Sequence, residues 1–306
     1  MSEIKNIIWI LVDSVRNYHT SEDDRGRLDV MDEFSKKSIE FDTAITSAPS
    51  TVMSVSSMMT GIPSIFQSRT YNDFTFNKDS FCSLPHILFD NQFNINSVIF
   101  FPEGRNFLKS LFINISEEYW TDNAHELKFW SNETVFDIGL NILNDINKDE
   151  NNFIYTHFNC RHDPNTSETV KKYINELEKR GYLNNSIIIL NSDHGYPDPS
   201  RAISSQDKIL LGHDLILSDD NILTPFFLYY PGCHPNKISK PISTLDIMPT
   251  ILELIGKKEE FSNSNFPIHG ISLLPFLNDF DKTYKTKKIR TDNRFIFQDN
   301  KVMSLR

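Results

Sequence analysis

The sequence predicts an α/β fold: a three-layer α/β/α sandwich with a mostly parallel central sheet, plus a truncated or minimal β appendage at the C-terminal end. Three observations point there. Short apolar runs rich in Ile, Val, Phe and Tyr recur along the chain, as strands buried on both faces require. Segments of helical pattern separate most of them, so successive strands are joined by crossovers and lie parallel. The chain has 306 residues, 39% of them hydrophobic and 24 of them Phe, which is enough for one large core.

In chain order, residues 6–12 (NIIWILV) read as the first strand. Helices are predicted over 29–38 and 51–59, the second opening after the turn Ser47-Ala48-Pro49-Ser50, and a third over 83–90. A strand at 95–101, a helix at 131–144, a strand at 152–158 and a helix at 167–180 continue the alternation. Strands at 186–191 and 225–230 and a helix at 243–255 complete it. Residues 256–267 are polar and irregular, 278–290 are charged, and 294–305 read as one or two short strands. The expected organisation is a catalytic domain over 1–280 and a short extension over 281–306.

Lys and Arg number 31 against 41 Asp and Glu, a formal net charge of −10. Without a basic stretch, nucleic acid is excluded as the main partner, and an anionic substrate needs a local device to hold it. No apolar run approaches the roughly 18 residues of a membrane helix. The N-terminal run is short, ends at Asp13 and lacks a basic start, so it reads as a strand and not as a signal peptide. Cys82, Cys160 and Cys233 are odd in number and far apart, which fits neither a disulfide framework nor a zinc knot. A soluble, cytoplasmic protein is the expectation.

Four residues sit where a strand ends or a helix begins: Asp13, Thr51, Asp193 and His194. Singly, each has a plain reading, since a carboxylate after a strand is often a helix cap and Thr is a common N-cap. Jointly they supply two carboxylates, a hydroxyl and an imidazole, a donor set suited to a divalent metal. Thr51 is the candidate nucleophile, because a metal or base can activate its hydroxyl. A helix N-terminus there would also meet an attacked anion with free N–H groups.

The stretch from Asp13 to Pro63 resembles the N-terminal region of the sulfatase family of the alkaline phosphatase superfamily. It carries Asp13, Arg16 three residues on, Phe41-Asp42-Thr43-Ala44 as the turn ending a helix, Thr51 at the nucleophile position, and Thr60-Gly61. The similarity continues, in family order, through HFNCRHDP (157–164), NSDHG (191–195), LGHDLILSDDNILTPFFLYYPG (211–232), STLDIMPTILELIG (243–256) and HGISLLPFL (269–277). The resemblance implies that Asp13, Asp193 and His194 are metal ligands and that Thr51 is both ligand and nucleophile. It implies that His162 and His213 contact the transferred group or protonate the leaving group. The implied cofactor is one divalent ion, Mn or Zn ahead of Mg or Ca. The implied substrate is a small anionic ester of a saccharide or lipid head group, with phosphodiesters included. His157 lies inside a strand, where packing is the expected role and reach to the site the lesser alternative.

Three departures from the family pattern redirect the reading. Sulfatases have Cys or Ser at the nucleophile position, followed by Pro and Arg at the second and fourth places, and oxidise the Cys or Ser to formylglycine; here Thr51 is followed by Met53 and Val55. Ser14 stands where sulfatases usually have a second Asp. Only a short segment separates His162-Asp163-Pro164 from the next helix, so an open substrate rim is expected. The set resembles the Thr-nucleophile members of the superfamily, and the reading is a metal-dependent hydrolase or transferase cleaving a phosphate or sulfate ester through Thr51. The alternatives are a sulfuric ester hydrolase acting without formylglycine and an inactive binding protein of the same fold. The chain is short for the superfamily, and the shortfall is expected after His162 and in the C-terminal sheet.

Overall fold

The computed structural model describes residues 3–20, 25–63, 66–67, 82–99, 111–112, 131–160, 163–198, 217–263, 268–277, 284–285, 289–291, 295–298 and 301–304. Its centre is β1 (Asn6–Asp13), all eight residues of which are buried. A strand covered on both faces cannot alternate polar and apolar residues, which is why NIIWILVD is a continuous run. β1 pairs in parallel with β4 (Asn152–Asn159) on one side and with β5 (Ser186–Asn191) on the other. β3 (Asn94–Ile99) extends the sheet beyond β4. Beyond β5 lie β6 (Leu223–Tyr229), the antiparallel member, then β2 (Ile39–Ile45), with β7 (Asn236–Ile238) and β8 (Ile242–Ser243) both paired to β2. The order among the described residues is β3-β4-β1-β5-β6-β2-β7.

Helices form two packed groups about this sheet. α5 (Thr166–Lys179) packs against both α1 (Asp29–Ser35) and α4 (Asn132–Asp145), and α2 (Thr51–Thr60) packs against both α3 (Leu84–Asp90) and α7 (Ile247–Leu254). The short α6 (Asp219–Ile222) leads into β6. The predicted fold class is observed, and the predicted helices agree with the observed ones to within a turn. Phe226, Phe227, Met58 and Met59 are buried, so these paired residues are core. Phe100 and Phe101 lie outside the described residues.

Two local expectations change. Phe41-Asp42-Thr43-Ala44 is not a turn closing a helix but the middle of β2, with a bulge between Phe41 and Ala44. What makes it a strand is its partner: Phe41 stacks on Phe226 of β6 with ring centroids 4.8 Å apart, a contact invisible in local sequence. The C-terminal segment forms a separate antiparallel sheet of β9 (Ile289–Thr291), β10 (Phe295–Gln298) and β11 (Lys301–Ser304), one strand more than predicted.

The predicted 243–255 helix begins as a 3-10 turn capped by its own side chains. The backbone N–H of Ser243 donates to Asp246 Oδ2 at 3.1 Å, and that of Leu245 donates to Ser243 Oγ. Asp246 Oδ1 also accepts from the backbone of Ile271 at 2.8 Å, fastening the 268–277 segment to this turn. The same segment closes on α2, because the N–H groups of His269 and Gly270 both donate to the carbonyl of Gly61, the left-handed residue ending α2. Asp246 is fully buried, so Asp246→Ala strands two backbone donors. We expect a loss of about 3 kcal/mol in urea unfolding, with Asp246→Asn recovering part of it.

Candidate active site

Parallel strands present their carboxyl ends on one edge of the sheet, and the neighbours β4, β1 and β5 bring three side chains together there. Asp13 is the last residue of β1, Asp193 follows β5 by two residues, and His157 stands opposite Leu11 in the β4–β1 register, two residues before the end of β4. Ligand atoms of Asp13, His157 and Asp193 all lie within 4.8 Å of one another. Thr51 opens α2, and its Oγ lies 3.1 Å from Asp13 Oδ2 and 3.2 Å from His194 Nε2. Asp13, Thr51, Asp193 and His194, separated by up to 181 positions in sequence, thus meet in one cluster. His162 and His213 lie outside the described residues.

The turn after β1 orients both carboxylates. Ser14 adopts a left-handed backbone with φ of 64°, a conformation few non-glycine residues hold without compensating contacts. From it the Ser14 N–H donates to Asp193 Oδ1 at 3.1 Å, and the Ser14 hydroxyl donates to Asp13 Oδ1. The His194 N–H reaches the same Asp193 oxygen at 2.9 Å. Both Oδ1 atoms are therefore occupied, and both Oδ2 atoms are left for the cluster. Next to Ser14, the Val15 N–H donates to Ser192 Oγ, and the buried Arg16 donates to the carbonyls of Tyr196 and Pro197, holding the turn after β1 against the segment that follows His194.

His194 Nδ1 lies 2.6 Å from the carbonyl of Gly195. A carbonyl only accepts, so Nδ1 carries a proton, and in the neutral ring Nε2 turns a lone pair toward Thr51 and toward Asp193 Oδ2, 3.4 Å away. The two carboxyls are tuned apart. Burial raises that of Asp193, and although His194 opposes the rise, the charge of Asp13 adds to it. Burial raises Asp13 too, but the nearby imidazoles of His157 and His194 outweigh this and hold it below the usual range.

The donors fit a divalent ion. Asp193 Oδ2 is buried and has no hydrogen-bond partner among the described residues. Thr51 has one hydroxyl proton for two facing acceptors. Oxygen and nitrogen atoms 3.1–3.4 Å apart, with too few protons between them, are spaced as donors to one cation at about 2.1 Å would be. At α2, Ser50 makes no side-chain cap bond, so it leaves the first-turn N–H groups of the helix uncapped.

A family model described as Sulfatase matches residues 5–171 and 165–257. The chain belongs to the sulfatase family. Among its curated relatives, N-acetylglucosamine-6-sulfatase of Bos taurus is 32% identical over 111 residues, covering 36% of this chain and 18% of that enzyme. Lipoteichoic acid synthase of Staphylococcus saprophyticus is 33% identical over 130 residues, covering 39% of the chain and 19% of the relative. The matched stretches thus span about a fifth of these relatives. The fold is shared with the lipoteichoic acid synthase LtaP of Listeria monocytogenes at a TM-score of 0.68 and 16% identity, over 88% of this chain and 75% of the other. Members of the sulfatase family generally depend on divalent metal.

For this sulfatase-family chain the structure alters one expectation. His157, read as a packing residue, is fully buried with its Nε2 3.8 Å from Asp13 Oδ2 and its Nδ1 3.2 Å from the Tyr155 hydroxyl. The available signal was a polar residue two positions before the end of a strand, on the same face as the terminal Asn159. What that face meets depends on which strand lies next door. No helix among the described residues is long and apolar enough to cross a membrane.

Proposed function

We propose that this chain is a divalent-metal-dependent hydrolase or transferase that cleaves a phosphate ester through a covalent intermediate on Thr51. The observation that carries it is the place of Thr51 Oγ, on the first residue of α2 and within 3.2 Å of both Asp13 and His194. Asp13, Thr51, Asp193 and His194 would hold the ion. When bound, a divalent ion there neutralises charge on the transferred group and lowers the pKa of the hydroxyl. Thr51, its hydroxyl acidified in this way, would release its proton to solvent and attack in line. A bond forms from Oγ to phosphorus as the bond to the ester oxygen breaks. From the family resemblance, His162 and His213 are assigned to protonate the departing alkoxide or to neutralise the other oxygens. Water, or an acceptor hydroxyl, then releases the group from Thr51.

The substrate class is a small anionic ester carried on a saccharide or lipid head group. The two curated relatives bracket it: one is named for a sulfated sugar, the other for a polymer synthase. Phosphate is preferred over sulfate because Thr51, with Met53 and Val55 after it, offers no route to formylglycine.

The test is turnover of an aryl phosphate, a bis-aryl phosphodiester and an aryl sulfate in parallel, after chelator dialysis and return of Mn²⁺, Zn²⁺, Mg²⁺ or Ca²⁺. We expect a phosphorus ester to be the best substrate, and chelation to abolish binding of the anion as well as its turnover. Sulfate turnover alone would reverse the preference. Absence of both turnover and metal binding at micromolar levels would make the chain a binding protein.

A further inference from the structure

Sulfatases usually place a second carboxylate directly after the Asp of the first strand, and here that place is held by Ser14. Ser14 cannot replace it as a ligand, because its hydroxyl is engaged with Asp13 Oδ1 and its left-handed backbone directs its N–H to Asp193. One donor is therefore missing from the turn after β1. A different one approaches from the adjacent strand. The His157 ring is fully buried, its Nε2 lies 3.8 Å from Asp13 Oδ2, and its ligand atom falls within 4.8 Å of those of both Asp13 and Asp193. Two atoms bound to one ion at about 2.1 Å each can be at most about 4.2 Å apart, so Asp13 and His157 already stand within the span of a shared ion.

We propose that His157 Nε2 is a metal ligand of this chain, supplied from β4 in place of the carboxylate that Ser14 lacks. The inference rests on the metal-dependent reading above and concerns the composition of its site. Tyr155 has the part of an orienting partner. With Nδ1–H of His157 donating to the Tyr155 oxygen at 3.2 Å, the lone pair is left on Nε2, facing the carboxylates. Exchanging an oxygen donor for a second imidazole beside His194 also changes which ion is preferred. Two nitrogens with two carboxylates suit Zn²⁺ or Mn²⁺, whereas Mg²⁺ and Ca²⁺ favour all-oxygen sets.

Zinc soaked into crystals of the full chain, located by anomalous scattering at its absorption edge, decides the matter without any variant. We expect a peak about 2.1 Å from His157 Nε2. In solution, chelator competition should show Zn²⁺ affinity falling about 100-fold in His157→Asn and His157→Gln, and less in Tyr155→Phe. A zinc peak at Asp13, Asp193 and His194 but more than about 3 Å from His157 Nε2 overturns the inference, leaves His157 a buried neighbour of Asp13, and keeps the phosphoester reading intact. If the wild-type chain binds no zinc at all, the metal-dependent reading itself fails and this inference falls with it.

Discussion

Thr51→Ala is expected to lose about 10⁴-fold in turnover of the preferred phosphorus ester, while the protein stays folded and still binds metal. The structural reasons for the separation are local. Thr51 is the half-buried first residue of α2, so losing its hydroxyl and methyl opens no deep cavity, and α2 stays anchored through Gly61 and its buried Val55, Met58 and Met59. Asp13, Asp193 and His194 remain to hold the ion. Thr51→Ser keeps an attacking oxygen and should stay within about tenfold of wild type. Acid quench during turnover followed by mass spectrometry should find the group on Thr51 in the wild type and nowhere in Thr51→Ala. A Thr51→Ala enzyme with undiminished activity would exclude Thr51 as nucleophile.

Gly195→Ala has the largest expected effect on stability. A Cβ at Gly195 would lie 1.8 Å from the carbonyl oxygen of Asp220, far inside any tolerable contact. The neighbour cannot retreat. Asp220 accepts from the backbone of Asp198 at 3.0 Å and from the Tyr18 hydroxyl at 2.8 Å, and the Gly195 N–H itself donates to the Asn221 carbonyl at 2.8 Å. Relief must come from moving the 193–195 backbone, which carries two residues of the cluster. We expect a loss of about 3 kcal/mol or more in urea unfolding, with metal affinity reduced. Gly232→Ala is the contrast. It meets nothing within 4 Å, but its φ of 84° is left-handed, so only about 1 kcal/mol of backbone strain is expected. Equal midpoints for the two variants would show that the contact at Asp220 yields more readily than its hydrogen bonds allow.

Much of the fold was legible for one physical reason. Strands in the middle of a parallel sheet must be apolar throughout, so β1, β4, β5 and β6 appear as runs such as IIWILV and SIIILN. β2 escaped because IEFDTAI carries Asp42 and Thr43 at a bulge, and pairing with β6 rather than local composition makes it a strand. The same division runs through the site. Asp13, Thr51, Asp193 and His194 stand out because each marks an element boundary, where a polar residue interrupts an apolar run or opens a helix. His157 sits within a strand, so nothing local distinguishes it from a packed core histidine.

The sequence alone therefore determined the layers, the chain order of their elements and the residues that end each strand near the site, because these depend on period and polarity over a few neighbouring positions. The tertiary structure decided that β4 and β5 flank β1, that Ser14 turns left-handed to occupy one oxygen of each carboxylate, and that His157 faces Asp13. Apart from the Ser14–Asp13 bond, those outcomes rest on hydrogen bonds and packing between segments more than 100 residues apart. Such contacts leave no periodic trace in the chain that makes them.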